Sequence, residues 1–457
     1  MDNMRNITLP TAQQSEELKK LSRYFPDDRR LYAVGGCVRD ALRKKPCYDI
    51  DLAGANTPEQ LTALLKDSEF KVCEASPRLG TMIIKGKYAY EYTTFRTDSY
   101  PSGSGIHTPS SVRFTDDIQS DARRRDFKCN AVYYDILDAK IVDPLGGIAD
   151  IEKGILSTVV DPDITLGQDG LRIMRMARFV STLGYSVEEK TLDSAKRLVA
   201  GLRDITVERI REELDKLLAG ENCYKALRLM NEIGALKIIL PEVAFNDKVA
   251  QKIQYHKYDV LEHTFKVVES CPPNVRLAGL FHDVAKGVCY QESGNTYLHN
   301  VVGAKMTQEV LTRLKYPKKT IERTSRLVYE HMFDVNGNAR EVKYRRFIAK
   351  NLDILDDLMA LFNADCIGTG YLQSSRTAEK LKQVYAKMLD EEVAFSISQL
   401  DINGKDLAEL GFAGKEIGDA LDKLWDMSLR GSVKNDKQML MSIAKRMKKN
   451  TDRKKDI

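Results

Sequence analysis

Residues 32–52 read YAVGGCVRDALRKKPCYDIDL, and they decide how the front of the chain is understood. The stretch sets a Gly-Gly turn, an arginine and an Asp-x-Asp pair around one candidate site. Asp49 and Asp51 are two positions apart, so on a strand both carboxylates project from one face. Two carboxylates on one face repel each other unless a positive charge lies between them. A divalent cation answers that need, and hard oxygen ligands where phosphate is handled favour Mg²⁺. Gly35 and Gly36 let the backbone approach a phosphate closely, and Arg39 can neutralise its charge.

Around this stretch lies a 457-residue chain, long enough for three or four domains. Its 43% hydrophobic and 30% charged residues suit a globular protein with a buried core. No run of 18 apolar residues exists, so no membrane span or membrane partner is expected. The segment MDNMRNITLPTAQQ lacks the apolar centre of a secretory signal, and a cytoplasmic location is expected. Eight cysteines are scattered without any CxxC, which argues for free thiols rather than a disulfide framework or a zinc finger. A net charge of +5 does not by itself mark a nucleic-acid binder. It fits a polyanionic partner if the basic residues share one surface.

β-rich runs fill the first 150 residues: LYAV, YDIDLA, FKVCEA, TMIIKG, YAYEYTTF and NAVYYDI. A helix is predicted over Pro58 to Lys66, capped by Thr57. This is a small α/β or α+β unit. From about Asp169 the alternation fades and helical periodicity takes over, with breaks expected near Pro241, Pro272-Pro273 and Gly368 to Gly370. The terminal KRMKKNTDRKKDI reads as a frayed, solvated tail.

Further motifs join the Asp pair. Glu91, in the β-like YAYEYTTFR, is a candidate third carboxylate or an ordinary edge-strand residue. In RRRDFKCNA, Arg124, Arg125, Asp126 and Asn130 can meet a triphosphate or form a solvated face. The run DPLGGIAD, from Asp143 to Asp150, reads as a rigid structural connection. In QDGLRIMRMARF, Asp169 and Arg172 are three apart and would stand side by side on a helix. That pair suits the Watson–Crick edge of a base, and equally a plain helix salt bridge.

Together these motifs resemble the class II tRNA nucleotidyltransferases, the CCA-adding branch of the bacterial poly(A) polymerase family. GGCVRDALRKKPCYDIDLAG matches the family's GGxVRDxLL…DxDLAT, RRDFKCNA its RRDFTxNA, and DPLGGIADI its DPxGGxxDL. The family's EDxxR appears as Gln168 to Arg172, and its ERIxxEL as Glu208 to Leu214. The motifs keep family order over residues 30 to 220. The resemblance implies an α+β fold: an N-terminal mixed-sheet nucleotidyltransferase domain of the DNA polymerase beta type, then a mostly helical body with an HD domain and a helical tail. It divides the chain into an extension (1–28), a catalytic domain (29–155), a nucleotide-selecting and RNA-binding neck (156–240), an HD-type domain (241–375) and a tRNA-binding tail (376–457).

The resemblance also implies roles. Asp49 and Asp51, with Glu91 as the weaker candidate, would hold catalytic Mg²⁺. Gly35, Gly36, Arg39, Arg124, Arg125, Asp126, Asn130, Arg175 and Arg178 would bind nucleotide, and Asp169 with Arg172 would choose cytosine or adenine. The expected partners are the tRNA acceptor end, CTP and ATP, with a homodimer as a further candidate assembly. Two departures stand out. Gln168 replaces the motif glutamate and Lys128 the motif threonine. The Gly-Ser loop between Arg96 and Arg123 favours complete CCA addition, but His107 and Thr108 stand where a basic loop residue is expected.

Five of the six histidines, at 256, 263, 282, 299 and 331, lie within 76 residues, and one forms the pair His282-Asp283. Such clustering suggests metal ligation. The segment resembles an HD phosphohydrolase domain, which implies ligation by His263, His282, Asp283 and Asp365. His299 and His331 become candidates for a second metal or a substrate phosphate, and Lys286 falls on the same side as Asp283. Mn²⁺, Ni²⁺ or Mg²⁺ could serve there. Beyond residue 390, Leu407, Leu410, Ile417, Leu421 and Leu424 form a helical seam, with Trp425 in the core and Lys405, Lys415 and Arg430 as candidate RNA contacts. The alternatives are an A-adding enzyme or poly(A) polymerase, an HD phosphohydrolase with an RNA-binding front, and a tRNA scaffold.

Overall fold

A computed structural model describes residues 12–47, 49–100, 110–251 and 254–455. His107, Thr108 and the Gly-Ser loop around them lie outside the described residues. The chain divides into two compact units, residues 1–244 with 313–315, and residues 245–312 with 316–457.

The first unit is built on a seven-stranded sheet ordered β3-β4-β5-β2-β1-β8-β9. Its strands are β1 (Tyr32–Val34), β2 (Asp51–Gly54), β3 (Lys71–Ser76), β4 (Thr81–Lys85), β5 (Ala89–Thr94), β8 (Tyr133–Asp135) and β9 (Lys140–Val142). The strands β6 (Arg96–Ser99) and β7 (Ser111–Phe114) form a separate antiparallel hairpin. Only β2 and β5 pair in parallel in the large sheet, and their register sets Asp51 beside Glu91. Every predicted β-rich run contributes a strand, because alternation in sequence becomes alternation of faces. The second run is shorter than expected: β2 begins at Asp51, and Asp49 precedes it. The in-and-out pattern still extends backwards, with Asp49 and Asp51 exposed and Ile50 and Leu52 buried.

The helices of this unit are α1 (Ala12–Ser22), α2 (Gly36–Leu42), α3 (Pro58–Leu64), α4 (Ile118–Arg123), α5 (Gly147–Lys153), α6 (Pro162–Gln168), α7 (Leu171–Leu183), α8 (Glu189–Leu198), α9 (Val207–Ala219), α10 (Cys223–Glu232), α11 (Ala235–Ile239) and α12 (Pro241–Ala244). Thr57 starts α3 through a capping box with Gln60, and Pro58 occupies the first turn, where no backbone donor is needed. Helix α7 packs on α9 and α10, and Ile173, Met176, Ala177 and Val180 are among its buried residues. The DPLGGIAD turn is structural. Asp143 accepts from the amides of Gly147 and Ile148 at 2.7 and 3.0 Å, and a Cβ on Gly147 would meet the Lys128 carbonyl at 2.1 Å.

The second unit is helical: α13 (Val260–Ser270), α14 (Arg276–Phe281), α15 (Lys286–Ser293), α16 (His299–Arg313), α17 (Lys318–Glu330), α18 (Glu341–Lys350), α19 (Leu355–Gly368), α20 (Arg376–Asp390), α21 (Gly404–Glu409), α22 (Lys415–Leu429) and α23 (Lys437–Lys455). Its breaks fall at the expected prolines and glycines. One core joins α13, α14, α18, α19 and α20, and a second joins α21, α22 and α23 around Leu407, Leu424 and Leu440. Trp425 is partly buried against both, and its indole N–H donates to the Ala394 carbonyl at 3.0 Å. The expected frayed tail is instead helical through Lys455, because Leu440 and Ala444 anchor α23 in the second core. Among the described residues no helix is long and apolar enough to cross a membrane.

Candidate active site and metal centre

A cavity of about 650 Å³ opens in the first unit, lined by residues of α2, β2, α7, α9 and the segment after α4. Its lining carries eight cationic side chains against three carboxylates, so it attracts a polyanion. Gly35 begins the turn into α2 with φ +82°, a conformation that glycine alone adopts without strain. The space a side chain there would fill borders the Asp51 carboxylate and the Arg125 guanidinium.

At one edge lie the acids. Although Asp51 keeps an exposed face, partial desolvation at the cavity and then the neighbouring charges of Asp49 and Glu91 push its carboxyl up to about 6. Arg125 offsets only part of this repulsion, so the three carboxylates together favour a divalent cation, and the donors are all hard oxygens. Residues of this kind fit Mg²⁺.

The opposite wall owes its arginines to a buried carboxylate that motif reading passed over. Asp121, fully buried in α4, accepts from Arg124 Nε at 2.7 Å, Arg125 Nη2 at 3.0 Å and the Tyr133 hydroxyl at 2.6 Å. Burial alone would raise its pKa, yet Arg125, Arg124 and Tyr133 hold it below the usual carboxylate range. The spacing was a signal, since Asp121 sits one helical turn before both arginines. Asp126 plays a similar organising part. It accepts from the Phe127 amide, from Asn130 Nδ2 and twice from Arg175, while Asn130 Oδ1 accepts from Arg39 Nη1 at 2.7 Å.

Helix α7 brings Arg172, Arg175, Arg178 and Thr182 to the cavity at spacings of three and four, and Phe179 packs under the guanidinium groups of Arg39, Arg175 and Arg178. Asp169 and Arg172 are not neighbours on one helical turn, as their spacing suggested. Asp169 is extended (φ −147°) at the break between α6 and α7, where its carboxylate accepts from the Leu171 amide and pairs with Arg209 of α9 at 3.0 Å. Packing next to the break demands glycine: a Cβ on Gly170 would approach the Gly201 carbonyl to 2.7 Å. Arg172 instead donates to the carbonyls of Thr165 and Arg124 and to Gln168 Oε1. Both side chains still line the one cavity. Sequence reading assigned no site role to Arg209, Glu213 or Lys216, all on α9. Arg209 and Lys216 line the cavity, and Glu213 pairs with Arg178 at 3.2 Å.

The second unit gathers the histidines. His263 Nε2 lies 3.2 Å from His282 Nε2 and 3.1 Å from Asp365 Oδ1, and His299 Nε2 lies 3.2 Å from His331 Nε2. Asp283 spans the two groups, with Oδ2 at 3.2 Å from His282 and Oδ1 at 3.2 Å from His299. Lys286 pairs with Asp283 at 2.6 Å. His282, His299 and His331 each direct Nδ1 at the carbonyl three residues earlier, Gly279, Thr296 and Val328. A carbonyl only accepts, so each of these Nδ1 atoms carries a proton, which leaves Nε2 as the atom that can present a lone pair to the group. When the His299 and His331 rings are neutral, their Nε2 lone pairs 3.2 Å apart repel unless a cation lies between them. The outer hydrogen bonds are those that orient metal-ligating imidazoles, so both groups fit a divalent metal. Burial alone would lower the pKa of His282, but Asp283 and Asp365 raise it, so the surrounding carboxylates favour positive charge at this group. His256, unassigned in the sequence reading, stacks edge-on against His263 with ring centroids 4.9 Å apart.

Comparison with known proteins is consistent with both sites. A poly A polymerase head domain matches residues 31–157, a probable RNA and SrmB-binding site of polymerase A matches 184–246, and an HD domain matches 253–367. The chain thus carries head, RNA-binding and HD domains in the order matched, and along most of its length it is similar to tRNA nucleotidyltransferases. It is 29% identical to a CCA-adding enzyme of Geobacillus stearothermophilus, over 93% of this chain and 94% of that enzyme. It is also 29% identical to an A-adding tRNA nucleotidyltransferase of Deinococcus radiodurans, over 90% and 93%. The solved Bacillus stearothermophilus CCA-adding enzyme in complex with CTP superposes with a TM-score of 0.71 at 25% identity, covering 98% of this chain and all of that one. The α+β fold is that of the tRNA nucleotidyltransferases, with a mixed-sheet head and a helical body containing an HD domain.

Proposed function

We propose that the chain adds or repairs the 3′ CCA end of tRNA, using CTP and ATP without a nucleic-acid template and releasing pyrophosphate. The observation that carries this reading is the single cavity where Asp51, a wall of arginines and the Asp169–Arg172 pair meet. Mg²⁺ held by Asp49 and Asp51, with Glu91 as a third carboxylate, would supply the Lewis acidity that activates the tRNA 3′-hydroxyl and neutralises the leaving pyrophosphate.

The protein's own groups do the rest. Arg124 and Arg125, fixed by Asp121, and Arg39, fixed by Asn130, hold the triphosphate in line. Arg175 and Arg178 extend this wall. The Asp169 carboxylate accepts a hydrogen bond from the exocyclic amine of the base, and Arg172 donates one to the adjacent ring nitrogen. Cytosine and adenine share that donor–acceptor pattern, whereas guanine and uracil reverse it. Selection therefore needs no template. Residues 29–155 are assigned to catalysis, 156–240 to nucleotide choice and RNA binding, 241–375 to the HD centre and 376–457 to the tRNA acceptor stem, through phosphate and 2′-hydroxyl contacts. A cytoplasmic site of action suits these substrates.

The test is extension of tRNA lacking its terminal CCA with CTP alone, ATP alone and both, followed by product sequencing. C, C, then A is expected. Extension confined to A on a CC end would support the A-adding alternative, which the equal identity to such a relative keeps in view. Long adenosine tails on unrelated RNA would point to a poly(A) polymerase. Normal addition by the combined D49A and D51A variant would overturn the assignment.

A second reading concerns the HD centre. Asp283 reaching both histidine groups favours metal-dependent phosphoester hydrolysis there, with Mn²⁺, Ni²⁺ or Mg²⁺ held by His263, His282, Asp283 and Asp365 and a second ion or a phosphate at His299 and His331. A bound metal would supply an activated water. Phosphatase activity that survives D49A and D51A but is lost in D283A is expected.

A further inference from the structure

The cavity of the first unit contains one cation that no protein group engages. Seven of its eight cationic side chains are arginines, and a carboxylate or a side-chain amide oxygen holds each of them. Lys216, exposed on α9, is the eighth. It makes no hydrogen bond or ion pair among the described residues.

Its place in the cavity follows from how α9 lies along α7. Arg209 meets Asp169 just before α7, Glu213 pairs with Arg178, and the Ser181 hydroxyl donates to the Leu217 carbonyl at 2.6 Å. The two helices therefore run in the same sense. Lys216 stands level with Ser181 and Thr182, at the end of α7 away from Asp169 and Arg172, and Thr182 lines the cavity there too. Helix α2 reaches the same end: the Arg39 guanidinium lies 5.4 Å from the Phe179 ring centre, and Arg43 Nη2 donates to the Leu183 carbonyl at 3.2 Å. Along α7, Arg172 and Thr182 are separated by about 15 Å of helix.

We propose that Lys216 binds the terminal phosphate of the incoming nucleotide and so makes the site selective for triphosphates over diphosphates. The inference rests on the reading of this cavity as a CTP and ATP site. With the base at Asp169 and Arg172, the ribose and phosphates extend along α7 past Arg175 and Arg178, toward Gly36 and Arg39. The last phosphate then arrives where Lys216 is the one charge still unengaged. The arginines are fixed by their acceptors with or without a ligand, so they shape the wall. Lysine suits a different task, because a compact charge on a flexible stem can close on a phosphate and move with it. After transfer that phosphate belongs to pyrophosphate, so the same contact serves the leaving group. A backbone phosphate of the tRNA is the rival ligand, and the experiment separates the two.

The full chain and its K216Q and K216R variants are titrated calorimetrically with CTP and with CDP in Mg²⁺, beside steady-state addition to tRNA lacking CCA. The contact is charge-assisted but partly screened by water, so K216Q should lose roughly 5- to 20-fold in CTP affinity. CDP affinity and KM for tRNA should not change, and K216R, which keeps the charge, should retain most of the CTP affinity. Inhibition of addition by inorganic pyrophosphate should weaken in K216Q by a similar factor. Lys216 is exposed, so the variants should melt with the wild type. Unchanged CTP affinity in K216Q, or equal weakening of CTP and CDP, would overturn the inference. Unchanged CTP affinity with a raised KM for tRNA would overturn it in favour of the RNA backbone. If the wild type binds CTP more tightly than CDP yet adds nothing to tRNA, the nucleotidyl reading fails by itself, and the K216Q affinities still decide the role of Lys216. A wild type that binds CTP no more tightly than CDP overturns the inference outright.

Discussion

Replacing Asp121 by Asn removes one charge from the buried group that holds two arginines, a tyrosine and the Arg96 amide together. Arg124 and Arg125 are 14% and 17% exposed, and Asp121 is fully buried, so the pairing is poorly screened. Its carboxyl lies below the ordinary range, so it is ionised at every assay pH and D121N is a charge change throughout. Removing one partner from a buried ion pair costs about 3–5 kcal/mol. Part of this returns when the freed guanidiniums reach water or the triphosphate. A net loss of about 1.4–2.8 kcal/mol in nucleotide binding corresponds to a roughly 10- to 100-fold rise in KM. In the proposed arrangement these arginines meet phosphate and not the base, so the rise should be the same for CTP and ATP. The assay is steady-state addition of C to a tRNA lacking CCA and of A to one ending in CC. Y133F is the graded control: it removes one neutral donor, worth about 1 kcal/mol, and should raise KM about fivefold. A KM change below threefold in D121N, or one differing tenfold between CTP and ATP, would refute the reasoning.

Three more outcomes follow from other parts of the molecule. The Asp51 carboxyl, raised to about 6, must lose its proton to hold a metal, so binding weakens as pH falls. Between pH 7 and pH 5 Mg²⁺ or Mn²⁺ affinity should drop by about tenfold, with about half a proton released per ion at pH 6 in titration calorimetry; pH-independent binding would contradict the shift. Gly170→Ala puts a Cβ 2.7 Å from the Gly201 carbonyl and should cost about 1–3 kcal/mol, lowering the first thermal transition and blurring base choice together. A variant melting like wild type would mean that the α6–α7 break is not held by this contact. In a D51A background, D283A should abolish metal at both histidine groups and H331A at one, as read by metal content after dialysis against Mn²⁺; equal losses would show that Asp283 does not serve both.

The chain's own order of residues determined a good deal. Side-chain direction along a strand follows from backbone geometry alone, so six β-rich runs announced their strands and the Asp49–Asp51 pair announced a shared face even where the strand had not yet begun. The density of histidines between 256 and 331 marked the second centre, because metal chemistry needs particular atoms whatever the fold. Pairings between distant segments were not legible. Asp169 meets Arg209 40 residues away, because its backbone is extended at the α6–α7 junction where the spacing implied one continuous helix. Asp121 reads as one more acid before a basic run until burial leaves it as the acceptor for two arginines and Tyr133. Asp283 reads as half of a dipeptide until packing sets one of its oxygens toward each histidine pair. Local periodicity is written residue by residue, while the partner of a buried charge is chosen by what tertiary packing brings within hydrogen-bond reach and shields from water.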